Sequence, residues 1–515
     1  MDTQSGLLSL DDNALLYVFS FLYGKEAHGI ALTSKRLHDL ANPRLSAIVE
    51  CPHPFAFLPL CKYILQGAQP RAQYIEILDL RIDGIDEIYN AEEVPYGRLL
   101  TDLLVAAQNV RQLTLSCRSG WLERSRIGAT LVTMRNLVDL HIRNVDDESL
   151  ALMSMLSGSL RRLALWFSAT APQSTTTEDA LLRALTRHTR LESLELQYFR
   201  PPEPIARASS TDRPQFTSLH SLSIALCSVG AVWFIDLFPH LSLLAVRLSN
   251  HAHAPLSTDV LAAPRWPPLK ELYIDDVFAP IARHLVSRVE KIVIMNVMRP
   301  FELELQPWDS LDAMLRAASP VRFSLSACVG PGVIATLVPI LAALPRLRTL
   351  ELCMQLAMWE GSSYSDSEER WLIDRVALLG GLQLENLRLI ATHVDLALFD
   401  TPTPLEHSGQ EQPMAAAAAA TTVPLHVKLT RAMPTLCLFG VASEYWATNT
   451  KPLETCDLID RTDAANPWYI SPWVRPMTRC GYYRRWWSRS VGNGVDLAEL
   501  SEEQVKEMHV ERAFA

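Results

Sequence analysis

A short pattern of apolar and polar positions returns along most of this chain. Thirteen segments read apolar-x-x-apolar-x-apolar, and they begin at Ile75, Val110, Leu137, Leu160, Leu191, Leu219, Leu241, Leu269, Val289, Pro320, Leu347, Leu384 and Met433. In the segment LESLEL, Leu194 and Leu196 are two apart and therefore point to the same side of an extended strand. Ser193, Glu195 and Gln197 point to the opposite side. Each segment thus predicts a strand with one apolar side and one polar side.

The stretches between these segments have helical spacing. Apolar residues recur at three- and four-residue intervals between the first two segments, for example at Leu100, Leu103 and Leu104. A single unit of strand, turn, helix and turn cannot bury its apolar side, so stacked units are expected to share one continuous core. The predicted fold class is α/β, a solenoid whose strands form one curved parallel sheet over residues 70–445.

The first fifty residues predict a separate domain of three short helices. Leu15, Val18, Phe19 and Leu22 are spaced i, i+3, i+4, i+7, which places them on one helix face. A second helix is expected near residues 25–32 and a third over residues 34–41, ending before Pro43. Because so few residues build only a small core, some of their apolar surface is expected to dock on a neighbour or a partner.

Two segments depart from the repeat pattern. Residues 400–424 hold four prolines and a run of six alanines, which predicts a flexible insertion. The C-terminal region, residues 446–515, contains the run NPWYISPWVRPMTRCGYYRRWWSRS, in which aromatic and basic residues interleave. Such a run could stack on single-stranded nucleic acid or bind an acidic peptide. A cap whose aromatic rings cover the last repeat is the favoured interpretation.

Charge and cysteine usage narrow the class of protein. The formal net charge of −10 argues against a general nucleic-acid binder. Nine cysteines are scattered without a C-x-x-C pair, so neither a zinc site nor a disulfide framework is indicated. The chain begins without the apolar region of a signal peptide, and no apolar stretch is as long as a membrane span. We therefore expect a cytoplasmic or nuclear protein with no metal or cofactor and no membrane partner.

The common catalytic motifs are missing from the sequence. It contains no G-x-S-x-G, no H-E-x-x-H and no Walker phosphate-binding loop. Asp146, Asp147 and Glu148 suit the acidic start of a helix better than a catalytic cluster. The expectation is a binding protein and not an enzyme.

The thirteen segments resemble the leucine-rich-repeat family, and the resemblance covers roughly residues 70–445. That family has an Asn or Cys eight positions after the first apolar residue, a position held here by Cys227 and Cys328. The resemblance implies that the x positions face the open side of the sheet and hold a protein substrate. Those predicted to do so are His141, Arg143, Trp166, Glu195, Gln197, Arg247, Tyr273 and Asp275.

Two aromatic residues stand out among these x positions. Trp166 and Tyr273 are expected to be exposed anchors, because aromatic residues dominate the energetics of interfaces. Truncating both is therefore expected to weaken partner binding while leaving stability nearly unchanged.

The N-terminal helical segment resembles an F-box. The stretch ALTSKRLHDLA from Ala31 matches the second half of that motif, and Leu10 matches its opening leucine, whereas Asp11 and Asn13 stand where Pro and Glu are usual. F-boxes dock on the Skp-type adaptor of a cullin ubiquitin ligase. The resemblance implies that the docking and core surface consists of Leu10, Leu15, Val18, Phe19, Leu22, Leu32 and Leu37. A plain helical cap for the solenoid is the alternative.

Three functions are compatible with these features. The favoured one is a non-catalytic subunit that brings a protein substrate to a cullin-type ubiquitin ligase. A leucine-rich-repeat interaction scaffold that never meets the ligase is the main alternative. A GTPase-activating repeat protein would need an isolated functional arginine on a loop, and the sequence singles out none.

Overall fold

The computed structural model describes most of residues 1–240 and fewer than half of residues 241–515. It covers residues 9–22, 24–66, 71–82, 96–116, 126–168, 178–200, 214–227, 234–235, 237–247, 266–274, 288–294, 308–328, 331–355, 377–392, 431–444, 483–489, 497–500 and 504. The chain divides into two compact units, Met1–His240 and Leu241–Ala515. The predicted insertion at residues 400–424 and the first part of the C-terminal aromatic run lie outside the described residues.

The first unit begins with the three predicted helices: α1 (Asp12–Ser20), α2 (Gly24–Ala31) and α3 (Lys35–Leu45). The side chain of Asp11 caps α1 by accepting from the Ala14 N–H at 2.8 Å, and that of Ser34 caps α3. The predicted end of α3 before Pro43 is wrong. The Ser46 N–H donates to the Asn42 carbonyl at 3.0 Å, which holds a further turn beyond the proline.

Seven parallel strands follow in the first unit, and neighbours in the sheet are neighbours in sequence. They are β1 (Ile48–Cys51), β2 (Ile77–Arg81), β3 (Gln112–Ser116), β4 (Asp139–Val145), β5 (Arg162–Phe167), β6 (Ser193–Gln197) and β7 (Ser221–Ala225). The strand β1 comes before the first predicted repeat and was not expected. The other six coincide with the first six apolar segments, which confirms those strands.

Helices connect these strands and cover their apolar side. They are α4 (Phe57–Leu65), α5 (Tyr96–Ala106), α6 (Ile127–Thr133), α7 (Asp147–Met153) and α8 (Glu178–Thr186), with 3-10 turns at Pro54–Ala56 and Arg71–Tyr74. The strands pair in register, so the apolar positions form continuous rows from β2 to β7. One row is Leu78, Leu113, Leu140, Leu163, Leu194 and Leu222; the other is Leu80, Leu115, Ile142, Leu165, Leu196 and Ile224. Each of these side chains is exposed by 4% or less, so the two rows are the core.

A ladder of polar side chains ties five of the repeats to the ones before them. Asn109 donates to the Gln73 carbonyl at 2.7 Å, and Ser159 donates to the Leu137 carbonyl at 2.8 Å. Equivalent bonds are made by Asn136, Ser218 and Thr435. All five donors stand one position before the first apolar residue of their repeat. They satisfy backbone carbonyls in turns that have no strand partner there.

The described part of the second unit contains seven more parallel strands. They are β8 (Leu243–Arg247), β9 (Leu269–Ile274), β10 (Val289–Ile294), β11 (Arg322–Cys328), β12 (Thr349–Gln355), β13 (Asn386–Thr392) and β14 (Leu438–Glu444). Its described helices are α9 (Trp308–Ala318), α10 (Pro331–Ala342) and a 3-10 turn at Ala377–Gly381. No helix in the described part of the chain is long and apolar enough to cross a bilayer.

The end of the second unit departs from the predicted all-parallel sheet. Two further strands, β15 (Tyr483–Arg489) and β16 (Leu497–Glu499), add to it in antiparallel pairing. Part of the aromatic and basic run is therefore a strand that pairs with β14 from Leu438 to Ser443. An added strand removes the unpaired edge that a parallel series would otherwise leave at β14.

The predicted start of the last repeat at Met433 is wrong by three residues. In the sheet, Asn386 pairs with Leu438 and Leu387 with Phe439, so the repeat begins at Leu436 and reads LCLFGV. Met433 is buried in the preceding turn, where the Leu436 N–H donates to its carbonyl. Both MPTLCL and LCLFGV fit the pattern, and pairing with β13 selects the second.

Truncating one residue of the apolar rows should destabilise the first unit. Leu163 is 2% exposed, so Leu163→Ala should lower the free energy of unfolding by about 2–5 kcal/mol through lost burial and a residual cavity. The measurement is urea unfolding followed by circular dichroism. Arg161→Ala, an exposed change two residues away, should cost less than about 0.5 kcal/mol. Equal losses in the two variants would contradict the placement of Leu163 in the buried apolar rows.

Candidate interaction surface

The polar sides of β4, β5 and β6 bring five of the predicted substrate-binding residues together. Asp139 pairs with Arg162 across the start of β4 and β5, and their side chains form an ion pair at 3.1 Å. Further along, Arg143, Trp166 and Gln197 lie side by side in one row of the sheet. His141 and Glu195 are in the row between, on either side of Ala164. The strand register therefore confirms that these residues share one side.

Trp166 occupies the centre of this surface. His141 and Glu195 flank the small Ala164, and the indole ring contacts both of them. The indole N–H donates to a Glu195 carboxylate oxygen at 2.9 Å, and the His141 ring meets the indole edge-to-face at 4.5 Å between centroids. The guanidinium of Arg143 lies 4.2 Å from the indole centroid. Trp166 is thus half-buried and fixed in orientation by three neighbours.

Five buried polar atoms on this side of the sheet form no hydrogen bond within the described residues. His141 Nε2, Arg143 Nε, Glu195 Oε2 and Gln197 Oε1 surround Trp166, and Ser221 Oγ lies on β7, opposite Ser193 of β6. Folded proteins pair nearly all such atoms, because each one left unmet costs about 1–3 kcal/mol. We call the group formed by His141, Arg143, Trp166, Glu195, Gln197 and Ser221 the Trp166 patch. The concentration of unmet atoms in one place distinguishes it from a solvated sheet face.

Burial shifts two ionisable groups of the Trp166 patch. It raises the pKa of Glu195 to about 7, against the lowering effects of the Trp166 N–H and the nearby Arg143. It also lowers the pKa of His141 to about 3, helped by the positive charges of Arg143 and Arg81. His141 is therefore neutral at physiological pH, while Glu195 titrates close to it.

The strands that form the patch end in strained turns. Asn144, Tyr198 and Leu226 follow the last patch-row residues of β4, β6 and β7, and all three have φ between 56° and 58°. This left-handed conformation is rare for bulky side chains such as those of Tyr198 and Leu226. The register of β4 against β5 also shifts between Arg143 and Val145. Strain of this kind concentrates where a functional geometry requires it.

In the second unit, Tyr273 contradicts the prediction of an exposed anchor. Its parity is as predicted, since it points away from the core side of β9, but it is only 2% exposed. It packs with Ala245 and Val293, with Leu243 at the edge of the group. Its hydroxyl donates to the Glu271 carboxylate, and burial raises the Tyr273 pKa. Tyr273 is thus part of a second, small apolar cluster on the polar side of the sheet.

The polar side of the sheet in the second unit also carries charged residues on β10, β12 and β13. Glu351 accepts from Arg388 at 3.0 Å and from the Ser324 hydroxyl at 2.8 Å, with both charged side chains largely buried. Lys291 is buried between β9 and β11, and desolvation lowers its pKa against the attraction of Glu271 and Glu351. These groups are matched in charge, so they look like a structural network and not like an open binding site.

Two predicted substrate-binding residues lie outside the Trp166 patch and the Tyr273 cluster. Arg247 ends β8 in the second unit, and Asp275 lies outside the described residues. Sequence reasoning missed Ser221 in the first unit and Lys291, Glu351 and Arg388 in the second. The signal that could have found them is strand parity, since each occupies an x position of its segment.

The three N-terminal helices divide the predicted adaptor-binding residues into two groups. Leu15, Phe19 and Leu37 are buried together in the core of this small domain, and Leu22 packs against them. The prediction that this helix face docks on a partner is therefore corrected for Leu15 and Phe19, which are turned inward, whereas Val18 and Leu22 are half-buried. The exposed apolar side chains, each 38–71% exposed, are Leu10, Leu16, Tyr17, Phe21 and Leu32.

Other parts of the described structure are weaker candidates for a binding site. A polar groove of about 470 Å³ lies beside the end of α3 and is lined by Arg44, Tyr74 and Arg111 among others. Two of its amides, Asn109 and Asn136, are engaged in the ladder between repeats. Among the described residues, no group of three His, Cys, Asp or Glu side chains could hold a metal ion.

The burial of Tyr273 has a direct energetic consequence. Tyr273→Ala should lower the free energy of unfolding by about 3–5 kcal/mol, the range for removing a buried aromatic ring. Tyr273→Phe keeps the ring and loses the hydroxyl bond to Glu271, so it should cost only about 1 kcal/mol. Urea unfolding of both variants tests this. A loss below about 0.5 kcal/mol for Tyr273→Ala would show that this side of β9 is open to solvent.

Comparison with known proteins adds no relative to this picture. No protein-family model matches the chain, and no curated protein matches its sequence significantly. Functional inference therefore depends on the residues and contacts described above.

Proposed function

We propose that this protein is a non-catalytic substrate receptor of a cullin-type ubiquitin ligase. Its N-terminal three-helix domain would dock on a Skp-type adaptor, and the polar side of its repeats would hold a protein substrate. The proposal joins the F-box resemblance of residues 10–41 to one observation, the apolar outer surface of that domain.

The outer surface of the helical domain is unusual for its size. The domain has its own core, formed by Leu15, Phe19, Ala31, Leu37 and Ala41. Five large apolar side chains nevertheless remain outside it. Tyr17 and Phe21 lie one helical turn apart, with ring centroids 4.9 Å apart in an edge-to-face contact. Exposed apolar residues grouped on so small a domain are typical of an interaction surface.

Contacts at the start of α3 hold Leu10 in an exposed position. Arg36 forms an ion pair with Asp12 at 2.6 Å and donates to the Leu10 carbonyl at 2.8 Å. These bonds hold the segment before α1 against the start of α3. Leu10 is thereby fixed at the surface, as a docking residue would need to be. The Asp12 side chain is largely exposed, so the contribution of this ion pair to stability is small.

The repeats supply the second half of the proposed function. In the first unit, the Trp166 patch presents a half-buried aromatic ring whose orientation is set by hydrogen bonding and stacking. Aromatic and arginine side chains are the commonest energetic centres of protein interfaces. A scaffold that binds proteins without meeting the ligase would use the same surface, so the helical domain is what separates the two functions.

Co-purification with the adaptor tests the proposal. The full-length chain co-expressed with a Skp-type adaptor should form a complex that survives gel filtration. Changing Tyr17 and Phe21 together to Asp should reduce the recovered complex at least tenfold, because two charges would have to be buried against an apolar partner. Both side chains are more than half exposed, so the melting temperature should stay within a few degrees of the unmodified protein.

A matched control uses exposed aromatic residues elsewhere in the first unit. Phe55 and Tyr63 are exposed to a similar degree but lie outside the three helices. Changing both to Asp should leave adaptor binding intact. If the unmodified chain fails to bind the adaptor, the ligase function is excluded and the scaffold remains. If it binds and both double variants lose binding equally, the docking surface is misassigned.

A further inference from the structure

We propose that the Trp166 patch binds a basic side chain, arginine or lysine, of the protein substrate. The inference rests on the proposed function in one respect, namely that the polar side of the repeats is where the substrate lies. It goes further in naming the chemistry that the surface recognises. Its basis is the set of unmet acceptors around Trp166.

Four of the five unmet atoms of the Trp166 patch can accept a hydrogen bond. They are the oxygens of Glu195, Gln197 and Ser221 and, in one tautomer, the ring nitrogen of neutral His141, whereas Arg143 Nε is a donor. Three of them lie on adjacent strands β6 and β7, and Glu195 and Gln197 are two residues apart on the same side of β6. A group with several donors and no acceptor complements such a set. Among protein side chains, only the arginine guanidinium and the lysine ammonium have that character.

The charges of the surface lead to the same ligand. Asp79 is paired with Arg81 at 2.9 Å, and Asp139 with Arg162 at 3.1 Å. Glu195 is buried and forms no ion pair within the described part of the chain; the nearby Arg143 favours its charged form but stacks on the Trp166 ring. The Oε1 of Glu195 accepts from the indole of Trp166, and its Oε2 is unmet. A ligand cation would donate to this free oxygen, and a charge-assisted bond to a buried carboxylate is among the stronger hydrogen bonds.

A ligand can reach the Glu195 carboxylate only if the Trp166 side chain moves. The indole N–H bonds Glu195 directly, and Trp166 is partly exposed to solvent. Because Ala164, which pairs with Glu195 in the sheet, carries only a methyl group, we expect a shift of the indole to open the Glu195 carboxylate without disturbing the apolar rows on the other side of the sheet. Binding of a basic side chain is therefore coupled to the position of this ring.

Peptide binding observed at the Trp166 indole tests the proposal. The probes are the peptides acetyl-Gly-Arg-Gly-amide and acetyl-Gly-citrulline-Gly-amide, which differ in charge but hardly in shape. The full-length protein carries ¹⁵N-labelled tryptophan, and Trp166→Phe identifies the resonance. The arginine peptide should shift that resonance saturably, whereas citrulline should cause at least tenfold weaker binding. Equal effects of the two peptides, or no shift with arginine, would overturn the proposal.

Two variants separate the Glu195 carboxylate from the general charge of the protein. Glu195→Gln keeps the shape and an oxygen for Trp166 and should weaken binding of the arginine peptide at least tenfold. Glu192→Gln removes the same charge at an exposed position three residues earlier and should leave binding unchanged. Equal binding by the unmodified protein and Glu195→Gln would contradict the inference.

The affinity for the arginine peptide, measured at several pH values, tests the role of the Glu195 carboxylate in the unmodified protein. The arginine peptide stays charged throughout, so its affinity should rise about tenfold between pH 6 and pH 8 as the carboxyl of Glu195, whose pKa is about 7, ionises. The other charged or titratable groups on this side of β2 to β7 are Asp79, Arg81, Asp139, His141, Arg143 and Arg162. An affinity independent of pH would contradict a role for Glu195.

The outcome is independent of the adaptor experiment. If the adaptor binds but the arginine peptide does not, the receptor function stands and the basic-ligand inference fails. If the peptide binds but the adaptor does not, the surface belongs to an interaction scaffold.

Discussion

In-register pairing of the parallel strands is the constraint on which the rest of this structure depends. Each strand contributes two apolar residues to the core, and pairing without offset places them in continuous rows such as Leu140, Leu163 and Leu194. A slip of one residue would turn every one of these side chains to the other side. The polar ladder in the turns reinforces this register, because Asn109 and its equivalents can reach a carbonyl only in the aligned position.

The same register creates the chemistry on the opposite side of the sheet. Because strands lie about 4.8 Å apart, x residues on neighbouring strands are brought into contact and shield one another from water. Glu195 is buried by this crowding, which raises its pKa, and His141 is neutral for the same reason. In the second unit, crowding instead produces the matched pair Glu351–Arg388 and the buried Tyr273. The ion-paired Glu351 thus contrasts with Glu195, which has no ion pair within the described residues.

The sequence predicts what depends on local pattern and fails where competing partners decide. Strand positions and parity follow from alternation, which is why β2 to β13 fall where expected. The last repeat at Leu436 overlaps a second match at Met433, and only pairing with β13 separates them. Amphipathic spacing identified the Leu15 and Phe19 face, but spacing cannot show that the domain buries that face in its own core. Parity likewise placed Tyr273 on the polar side without revealing the apolar neighbours that cover it.

The distance between equivalent turn positions tests in-register stacking most directly. Glu76, Arg111, Val138, Arg161, Glu192 and His220 follow one another through backbone hydrogen bonds at the second position of each repeat. Nitroxide labels on ketone-bearing amino acids at these sites would avoid the native cysteines. Pulsed electron resonance should give about 19 Å for the pair at Glu76 and Glu192 and about 24 Å for Glu76 and His220, from steps of about 4.8 Å. Distances that do not increase with strand number, or that exceed about 35 Å, would contradict the stacked register.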